Sequence, residues 1–181
     1  MKLTPVSGID GLLVAEPLIF SDERGVFFES FNKVLQDKLG DNIEFVQDNQ
    51  SVSSKNVVRG LHFQKPPFAQ GKLVRVVHGK ALDVVVDLRK ASPSYGKVFS
   101  ILLTPEKSNM LWIPPGFAHG FAALENNTVF LYKCTAPYNR ESESGIVYND
   151  ATLAIDWGVS DPVVSSKDLE LEAFESLNSP F

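Results

Sequence analysis

Residues 72–88 read K-L-V-R-V-V-H-G-K-A-L-D-V-V-V-D-L, a stretch typical of two β-strands joined by a turn. Runs rich in Val and Leu lie on either side of Gly79, and glycine is favoured where the chain turns tightly. We therefore predict strands at 72–78 and 81–88, joined as a hairpin at Gly79.

Short apolar runs of the same kind, separated by Gly, Pro, Asn and Asp, continue in both directions along the chain. The predicted strands lie at about 12–19, 25–31, 43–53, 57–64, 72–78, 81–88, 97–103, 109–113, 117–124 and 128–135. Helix signals are few: Asn32 precedes a short helix at 33–39 that ends at Gly40, and Ser165 or Ser166 precedes a second near 168–177. So many strands with only peripheral helices predict a mainly β fold, either a sandwich, a jelly roll or a barrel.

The composition limits the class of protein. The 181 residues, 44% hydrophobic and 22% charged, are expected to form a single domain spanning 1–181. A net charge of −5 without a Lys/Arg-rich block argues against a nucleic-acid binder. The single cysteine, Cys134, excludes an intrachain disulfide framework and a multi-Cys zinc site. Since neither a signal peptide nor an apolar run of membrane-spanning length is evident, we expect a soluble, cytoplasmic protein without a membrane partner.

Alternation along each strand assigns side chains to faces. In the strand at 57–64, His62 is predicted on one face with Gly60 and Gln64, opposite Arg59, Leu61 and Phe63. Alternation also mixes polar with apolar residues on three further faces: Phe130 with Tyr132 and Cys134, Lys72 with Val74, Val76 and His78, and Asp83 with Val85 and Asp87. Such faces are suited to lining the mouth of a barrel.

Two of the three histidines lie in informative surroundings. His62 belongs to the strand-like R-G-L-H-F-Q, where a buried imidazole needs either a backbone partner or a chemical role. His119 lies in W-I-P-P-G-F-A-H-G at 112–120, which reproduces the P-x-G-x-x-H pattern of the second cupin motif. Metal-binding cupins also carry H-x-H, but Gln64 stands where the second histidine would be, and His78 is poorly placed as a third ligand. We therefore predict no metal site.

The other polar candidates have ordinary structural explanations when each is taken alone. Tyr132, in F-L-Y-K-C-T, is compatible with a core aromatic residue whose hydroxyl finds a partner. Asp168, in S-S-K-D-L, is compatible with a carboxylate in the first turn of a helix. Cations are scattered along the chain and are compatible with surface charges: Arg24, Arg59, Lys72 and Lys167.

Taken together, the segments closely resemble the dTDP-4-dehydrorhamnose 3,5-epimerases, cupin-fold enzymes of dTDP-L-rhamnose synthesis. The resemblance extends from E-P-L-I-F-S-D-E-R-G at 16–25 to S-S-K-D at 165–168. Its most specific segments are D-E-R-G-V-F-F-E-S-F-N, F-V-Q-D-N-Q-S, V-V-R-G-L-H-F-Q, Q-G-K-L-V-R-V-V-H-G, D-V-V-V-D-L-R, I-P-P-G-F-A-H-G-F and L-Y-K-C-T. It implies a cupin-like jelly roll, a homodimer, and a reaction on dTDP-4-dehydro-6-deoxy-D-glucose without a cofactor.

The resemblance also implies roles for individual residues. The catalytic base falls on His62, its acidic partner on Asp168, the proton donor on Tyr132, and the lysine near the keto oxygen on Lys72. Further substrate contacts fall on Arg24, Glu29, Gln47, Asn49, Arg59, His119, Glu143 and Lys167, and Tyr138 is the ring that stacks on thymine. Arg24 and Glu29 would come from the other subunit.

Residues 135–145 depart from the family pattern in places. Ala136 and Pro137 stand where family members often carry an acidic residue and an aromatic one. Glu143 is preferred to Glu141 as the substrate contact because it lies two residues before Gly145-Ile146, as in the family's E-x-G-I.

These residue types suit the inversion of a carbon beside a ketone. An imidazole paired with a carboxylate removes the proton, and such general-base catalysis raises the reaction rate roughly 10²–10⁴-fold. An ammonium stabilises the enolate oxygen, and a phenol on the opposite side returns a proton. The alternatives left open are epimerisation at C3 or C5 only, 3,4-ketoisomerisation, and a non-catalytic cupin that binds sugar nucleotides; a metal-dependent cupin oxygenase is disfavoured by the missing H-x-H.

Overall fold

The computed structural model describes residues 1–181 and contains thirteen strands and two short helices. The strands are β1 (Lys2–Pro5), β2 (Leu13–Glu16), β3 (Phe20–Asp22), β4 (Gly25–Phe27), β5 (Gln47–Ser53), β6 (Val58–Gln64), β7 (Lys72–His78), β8 (Ala81–Asp87), β9 (Val98–Leu103), β10 (Met110–Ile113), β11 (Phe117–Ala123), β12 (Thr128–Cys134) and β13 (Glu143–Gly145). The helices are α1 (Lys33–Leu39) and α2 (Ser166–Leu169), followed by a 3-10 turn at Phe174–Ser176. The predicted mainly β class with short peripheral helices is confirmed.

Two antiparallel sheets enclose the main core. One has six strands in the order β1-β2-β10-β7-β12-β5, and the other has five in the order β13-β6-β11-β8-β9. Val74 and Phe130 from the first sheet pack with Val85 and Phe121 from the second. Two sheets packed face to face in this way form a jelly roll, which is one of the three folds that the strand pattern left open and the one that the family resemblance implies.

The outer face of each sheet is covered by a peripheral segment. Helix α1 begins after Asn32, whose side chain accepts a hydrogen bond from the Leu35 N–H at 2.8 Å, and it ends before Gly40, as predicted. Its buried Leu35 packs against Met110 and Trp112 of the six-stranded sheet. The C-terminal segment covers the five-stranded sheet with Trp157. None of the helices has the length and apolar character needed to span a membrane.

The predicted hairpin at Gly79 is wrong. Gly79 does turn the chain, with a φ of 74°, but β7 pairs with β10 and β12 whereas β8 pairs with β9 and β11. The chain therefore crosses from one sheet to the other at this point, because jelly rolls pass successive strands between their two sheets. A Cβ on Gly79 would lie 2.6 Å from the Thr128 hydroxyl oxygen, which explains why glycine stands there.

Other predicted bounds differ near the ends of the chain. Strands β1, β3 and β13 were not predicted. The strand predicted at 12–19 is shortened to β2, which ends before Pro17, a residue that lacks an N–H, and the strand predicted at 25–31 ends at Phe27. The predicted helix at 168–177 is only α2 and a separate 3-10 turn. Strands β3 and β4 pair only with each other and form a hairpin outside both main sheets.

Candidate active site

A cavity of about 490 Å³ lies between the two sheets and contains side chains from both. A smaller cavity of about 190 Å³ adjoins it and shares His62, Lys72, Tyr132 and Glu143. The predicted site residues that line one or both cavities are Gln47, Asn49, Arg59, His62, Lys72, His119, Tyr132, Tyr138, Glu143, Lys167 and Asp168. The structure therefore brings together every predicted site residue except Arg24 and Glu29.

His62 and Asp168 form a hydrogen-bonded pair in the larger cavity. His62 Nε2 lies 2.8 Å from Asp168 Oδ1, and the other carboxylate oxygen accepts a hydrogen bond from the Gly60 N–H at 3.2 Å. The carboxylate of Asp168 projects from helix α2. Ser165 caps this helix, since its hydroxyl oxygen accepts the Asp168 N–H at 3.1 Å, and the cap holds Asp168 in place. Burial acts to raise the pKa of Asp168, but the hydrogen bonds from His62 and Gly60 outweigh it and lower that pKa. His62 thus has an ionised partner at neutral pH.

Arg59 lines the same cavity as His62, so its predicted place on the opposite face is wrong. The register between β6 and β11 shifts between the pairs His119–His62 and Phe121–Arg59. Such an irregularity reorients the side chains on one strand. It coincides with Gly60, which has a φ of 115° and packs so closely on Gly120 that a Cβ would lie 2.6 Å from the Gly120 Cα.

Lys72 and Tyr132 face the cavity from the six-stranded sheet, whereas His62 belongs to the five-stranded sheet. They lie on the paired strands β7 and β12, and Lys72 Nζ is 6.0 Å from the centre of the Tyr132 ring. Burial lowers the pKa of Lys72, although the charges of Asp83 and Glu143 act in the opposite direction. Burial also raises the pKa of Tyr132, so the phenol keeps its proton at neutral pH.

Glu143 accepts two hydrogen bonds at the cavity mouth. The Tyr138 hydroxyl donates to Glu143 Oε2 at 2.6 Å, and Lys167 Nζ donates to the same oxygen at 2.5 Å. Burial acts to raise the pKa of Glu143, but these two hydrogen bonds outweigh it and lower that pKa. The Tyr138 ring is 54% exposed, and Glu141 is exposed on the neighbouring turn.

Strand β5 contributes a row of polar side chains to the cavities. Gln47 accepts the Tyr138 N–H at 2.8 Å and donates to Asn49 at 3.0 Å. Ser53 accepts a hydrogen bond from Arg59 Nε at 3.2 Å. Ser51 lies between them with a buried hydroxyl that has no partner, and it lines the larger cavity.

Ser51 and Asp83 are cavity-side residues that the sequence patterns did not assign to the site. Asp83 Oδ1 lies 2.7 Å from His119 Nε2, and its other oxygen is buried without a partner. Alternation along β5 would have placed Ser51 on the same face as Asn49. For Asp83, the available signal was a charged residue within the apolar run at 81–88, where a buried carboxylate needs a partner.

Arg24 and Glu29 line neither of these two cavities. Arg24 is at the turn of the β3–β4 hairpin, where its guanidinium donates to Asp22, and Glu29 accepts from Asn32 Nδ2 at 2.7 Å. The hairpin exposes Phe20, Val26 and Phe27, which are 57%, 68% and 68% accessible.

The cavity residues do not include a cluster of three or more His, Cys, Asp or Glu placed to hold a metal ion. Gln64, at the position where a metal-binding cupin would carry histidine, makes structural hydrogen bonds instead. Its amide nitrogen donates to the carbonyls of Phe68 and Pro137, and its oxygen accepts the Asn139 N–H at 2.7 Å.

Comparison with known proteins agrees with this architecture. A family model described as dTDP-4-dehydrorhamnose 3,5-epimerase matches residues 7–176. The dTDP-4-dehydrorhamnose 3,5-epimerase of Shigella flexneri is 48% identical over 167 residues, which cover 92% of each chain. The crystal structure of the same enzyme from Elizabethkingia anophelis superposes with a TM-score of 0.92 at 43% identity, covering 98% of each chain.

A Legionella pneumophila epimerase solved with dTDP-4-keto-L-rhamnose has a TM-score of 0.91 and 44% identity, over 98% of this chain and 94% of that one. The matches span nearly the whole sequence and both sheets. The chain therefore belongs to the dTDP-4-dehydrorhamnose 3,5-epimerase family, a group of isomerases with a cupin-like fold.

Proposed function

We propose that this protein converts dTDP-4-dehydro-6-deoxy-D-glucose into dTDP-4-dehydro-L-rhamnose by inverting C3 and C5. The observation that carries the proposal is the His62–Asp168 pair, which faces Lys72 and Tyr132 across one cavity. A proton acceptor on one sheet and a proton donor on the other suit a reaction that removes a proton from one face of a sugar and returns one to the opposite face.

His62 is the base in this proposal. Its Nε2 is held by Asp168, so Nδ1 is the nitrogen left to take a proton from carbon. The electrons of the C–H bond form a C=C bond to C4, and those of the carbonyl move to the C4 oxygen as an enolate. Asp168 remains ionised and stabilises the imidazolium, which is the role of the carboxylate in such pairs.

Lys72 and Tyr132 complete the step from the other side. The ammonium of Lys72 stabilises the enolate oxygen inside the cavity, where charge interactions count for more than they do in bulk water. As the carbonyl re-forms, the double bond takes the Tyr132 hydroxyl proton at the carbon. Exchange with water then returns a proton to Tyr132 and removes one from His62, and the cycle repeats at the second carbon. All groups in this scheme belong to the protein, so no cofactor is required.

Recognition of the nucleotide falls to the cavity mouth. Arg59 and Lys167 provide cations for the diphosphate, and they must offset an overall charge of −5 through charge-assisted hydrogen bonds. The exposed ring of Tyr138 is available to stack on thymine, with Gln47 and Asn49 close by in the smaller cavity. His119 and Glu143 contact the sugar end.

We further propose that two copies of the chain form a homodimer in which Arg24 and Glu29 enter the partner's cavity. An isolated two-stranded hairpin is only marginally stable in water, and this one exposes three large apolar side chains. A second copy would cover them and bring Arg24 to the substrate. The expected cytoplasmic location stays a prediction, as does the organisation as a single domain.

The proposal is tested by incubating metal-stripped protein with dTDP-4-dehydro-6-deoxy-D-glucose in D₂O and following C3 and C5 by NMR. Deuterium at both carbons, with the L-rhamno product, supports it. Deuterium at one carbon identifies a C3- or C5-specific epimerase, and movement of the carbonyl to C3 identifies a ketoisomerase. Binding of dTDP without exchange identifies a non-catalytic binding protein. The His62→Ala variant is the control and should show no exchange at either carbon.

A further inference from the structure

Two buried side-chain oxygens in the protein have no hydrogen-bond partner, Ser51 Oγ and Asp83 Oδ2. Ser51 lines the cavity, and Asp83 contacts His119, which also lines it. A buried carboxylate with an unpaired oxygen is costly to retain, because burial without full pairing is opposed by lost hydration. Asp83 is fully buried with one oxygen unpaired, an arrangement that works against the stability of the core and indicates a role in the site.

The surroundings of His119 limit how Asp83 can act. His119 is the direct cross-strand neighbour of His62, and its side chain is 8% exposed. Burial lowers the pKa of His119, and the positive charges of Lys72 and His62 lower it further, while Asp83 opposes them. At neutral pH His119 is therefore a neutral imidazole with a single N–H. An ionised carboxylate only accepts hydrogen bonds, so an N–H on Nε2 matches Asp83 at 2.7 Å.

Asp83 has neighbours that favour its ionised form. Burial dominates and raises the pKa of Asp83 above its usual value, while the charges of His119 and Lys72 and the hydrogen bond to His119 limit that rise. The unpaired Oδ2 leaves part of the negative charge available to the Lys72 ammonium, on which Asp83 acts in turn.

We infer that Asp83 is a positioning residue that fixes the proton of His119 on Nε2, so that Nδ1 faces the cavity as a bare hydrogen-bond acceptor for a sugar hydroxyl. The two imidazoles then play different parts, since His62 moves a proton from carbon whereas His119 holds the sugar ring by accepting from a hydroxyl. The ligand in this inference rests on the proposed function. The tautomer does not, because it is a property of the free protein.

The first test is the tautomer of His119 in the unliganded wild-type protein, read from ¹⁵N–¹H correlations of its ring. The chain has only three histidines, and removal of the exposed His78 by His78→Gln simplifies their assignment. We expect the proton on Nε2. A proton on Nδ1 would overturn the inference, whatever the outcome of any activity assay.

The second test is the kinetics of Asp83→Ala. Without the carboxylate the Nε2–H preference should be lost, and KM should rise about 3- to 10-fold for the loss of one neutral hydrogen bond. We expect kcat, measured at a pH where Lys72 stays protonated without the Asp83 charge, to change less than KM, since binding is weakened and the base is untouched. A folded variant with wild-type KM contradicts the inference.

Asp87→Ala is the matched control. Asp87 lies on the same strand, is equally buried, and is held by Arg89 and Ser94 instead of a cavity residue. It should leave KM unchanged even where it lowers thermal stability, and an equal rise in KM would assign the effect to disruption of β8. A wild-type protein without turnover would refute the proposed function but leave the tautomer measurement valid.

Discussion

Replacing Asp168 with asparagine should abolish most activity while leaving the fold intact. The carboxylate serves two donors with its two oxygens: His62 Nε2 lies 2.8 Å from Oδ1, and the Gly60 N–H lies 3.2 Å from Oδ2. Asparagine has only one acceptor oxygen, so it cannot serve both. Leaving the buried Gly60 N–H opposite an NH₂ group would cost about 1–3 kcal/mol.

The amide oxygen of Asp168→Asn is therefore expected to face Gly60 and its NH₂ group to face His62. That arrangement places the His62 proton on Nδ1, the nitrogen that must accept a proton from carbon. Loss of charge alone would cost about 1–1.5 kcal/mol, or roughly tenfold in rate. The wrong tautomer costs far more, about 10⁴-fold in kcat for the same change in the Ser-His-Asp triad.

The assay is the rate of deuterium incorporation at C3 and C5 under saturating substrate, with thermal unfolding measured in parallel. The matched control is Asp150→Asn, since Asp150 is also buried and also uses both carboxylate oxygens as acceptors, here for the backbone N–H groups of Leu153 and Phe174, but lies outside the cavities. It should lose stability and keep its activity. A folded Asp168→Asn variant with less than about tenfold loss would refute the reasoning from the tautomer.

Two further predictions concern the other groups of the site. Burial lowers the pKa of Lys72, and the lysine acts in its protonated form, so activity should fall on the alkaline side at a pH below the usual lysine pKa of about 10.4. The Lys72→Arg variant stays charged and should lose this alkaline fall in its pH–rate profile. An unchanged alkaline fall in that variant would exclude Lys72 as its source. The homodimer is tested with two variants, Arg24→Ala and His62→Ala, each of which should be impaired as a homodimer. Mixed dimers of the two variants, made by co-refolding, should recover activity. One cavity of the mixed dimer then carries both an intact His62 and an intact Arg24 from the other subunit. No recovery in confirmed mixed dimers would contradict the proposed exchange of hairpins.

The core of the fold could be predicted from the sequence because its signals are local. Apolar runs bounded by turn residues located β5 to β12 closely, and the Asn32 cap located α1. The turn at Gly79 was also visible, but whether two strands pair or cross between sheets depends on partners such as β10 and β12, which lie far along the chain.

The candidate site, too, could be predicted only in part from the sequence. The resemblance assigned His62, Lys72, Tyr132 and Asp168, but residue spacing alone did not, because the His62–Asp168 contact joins residues 106 positions apart. Alternation placed Arg59 on the wrong face, since the irregularity at Gly60 depends on how β6 meets β11. Asp83 became meaningful only with its distance to His119 and its unpaired oxygen.

The central claim is that proton removal and proton return occur from opposite sheets. It is tested most directly by Tyr132→Phe in D₂O, with the configuration at C3 and C5 determined together with their deuterium content. We predict that His62 still removes protons and returns deuterium to the same face, so that the starting sugar gains deuterium with little inversion. Inversion at the wild-type rate, or loss of all exchange in a folded variant, would contradict the claim.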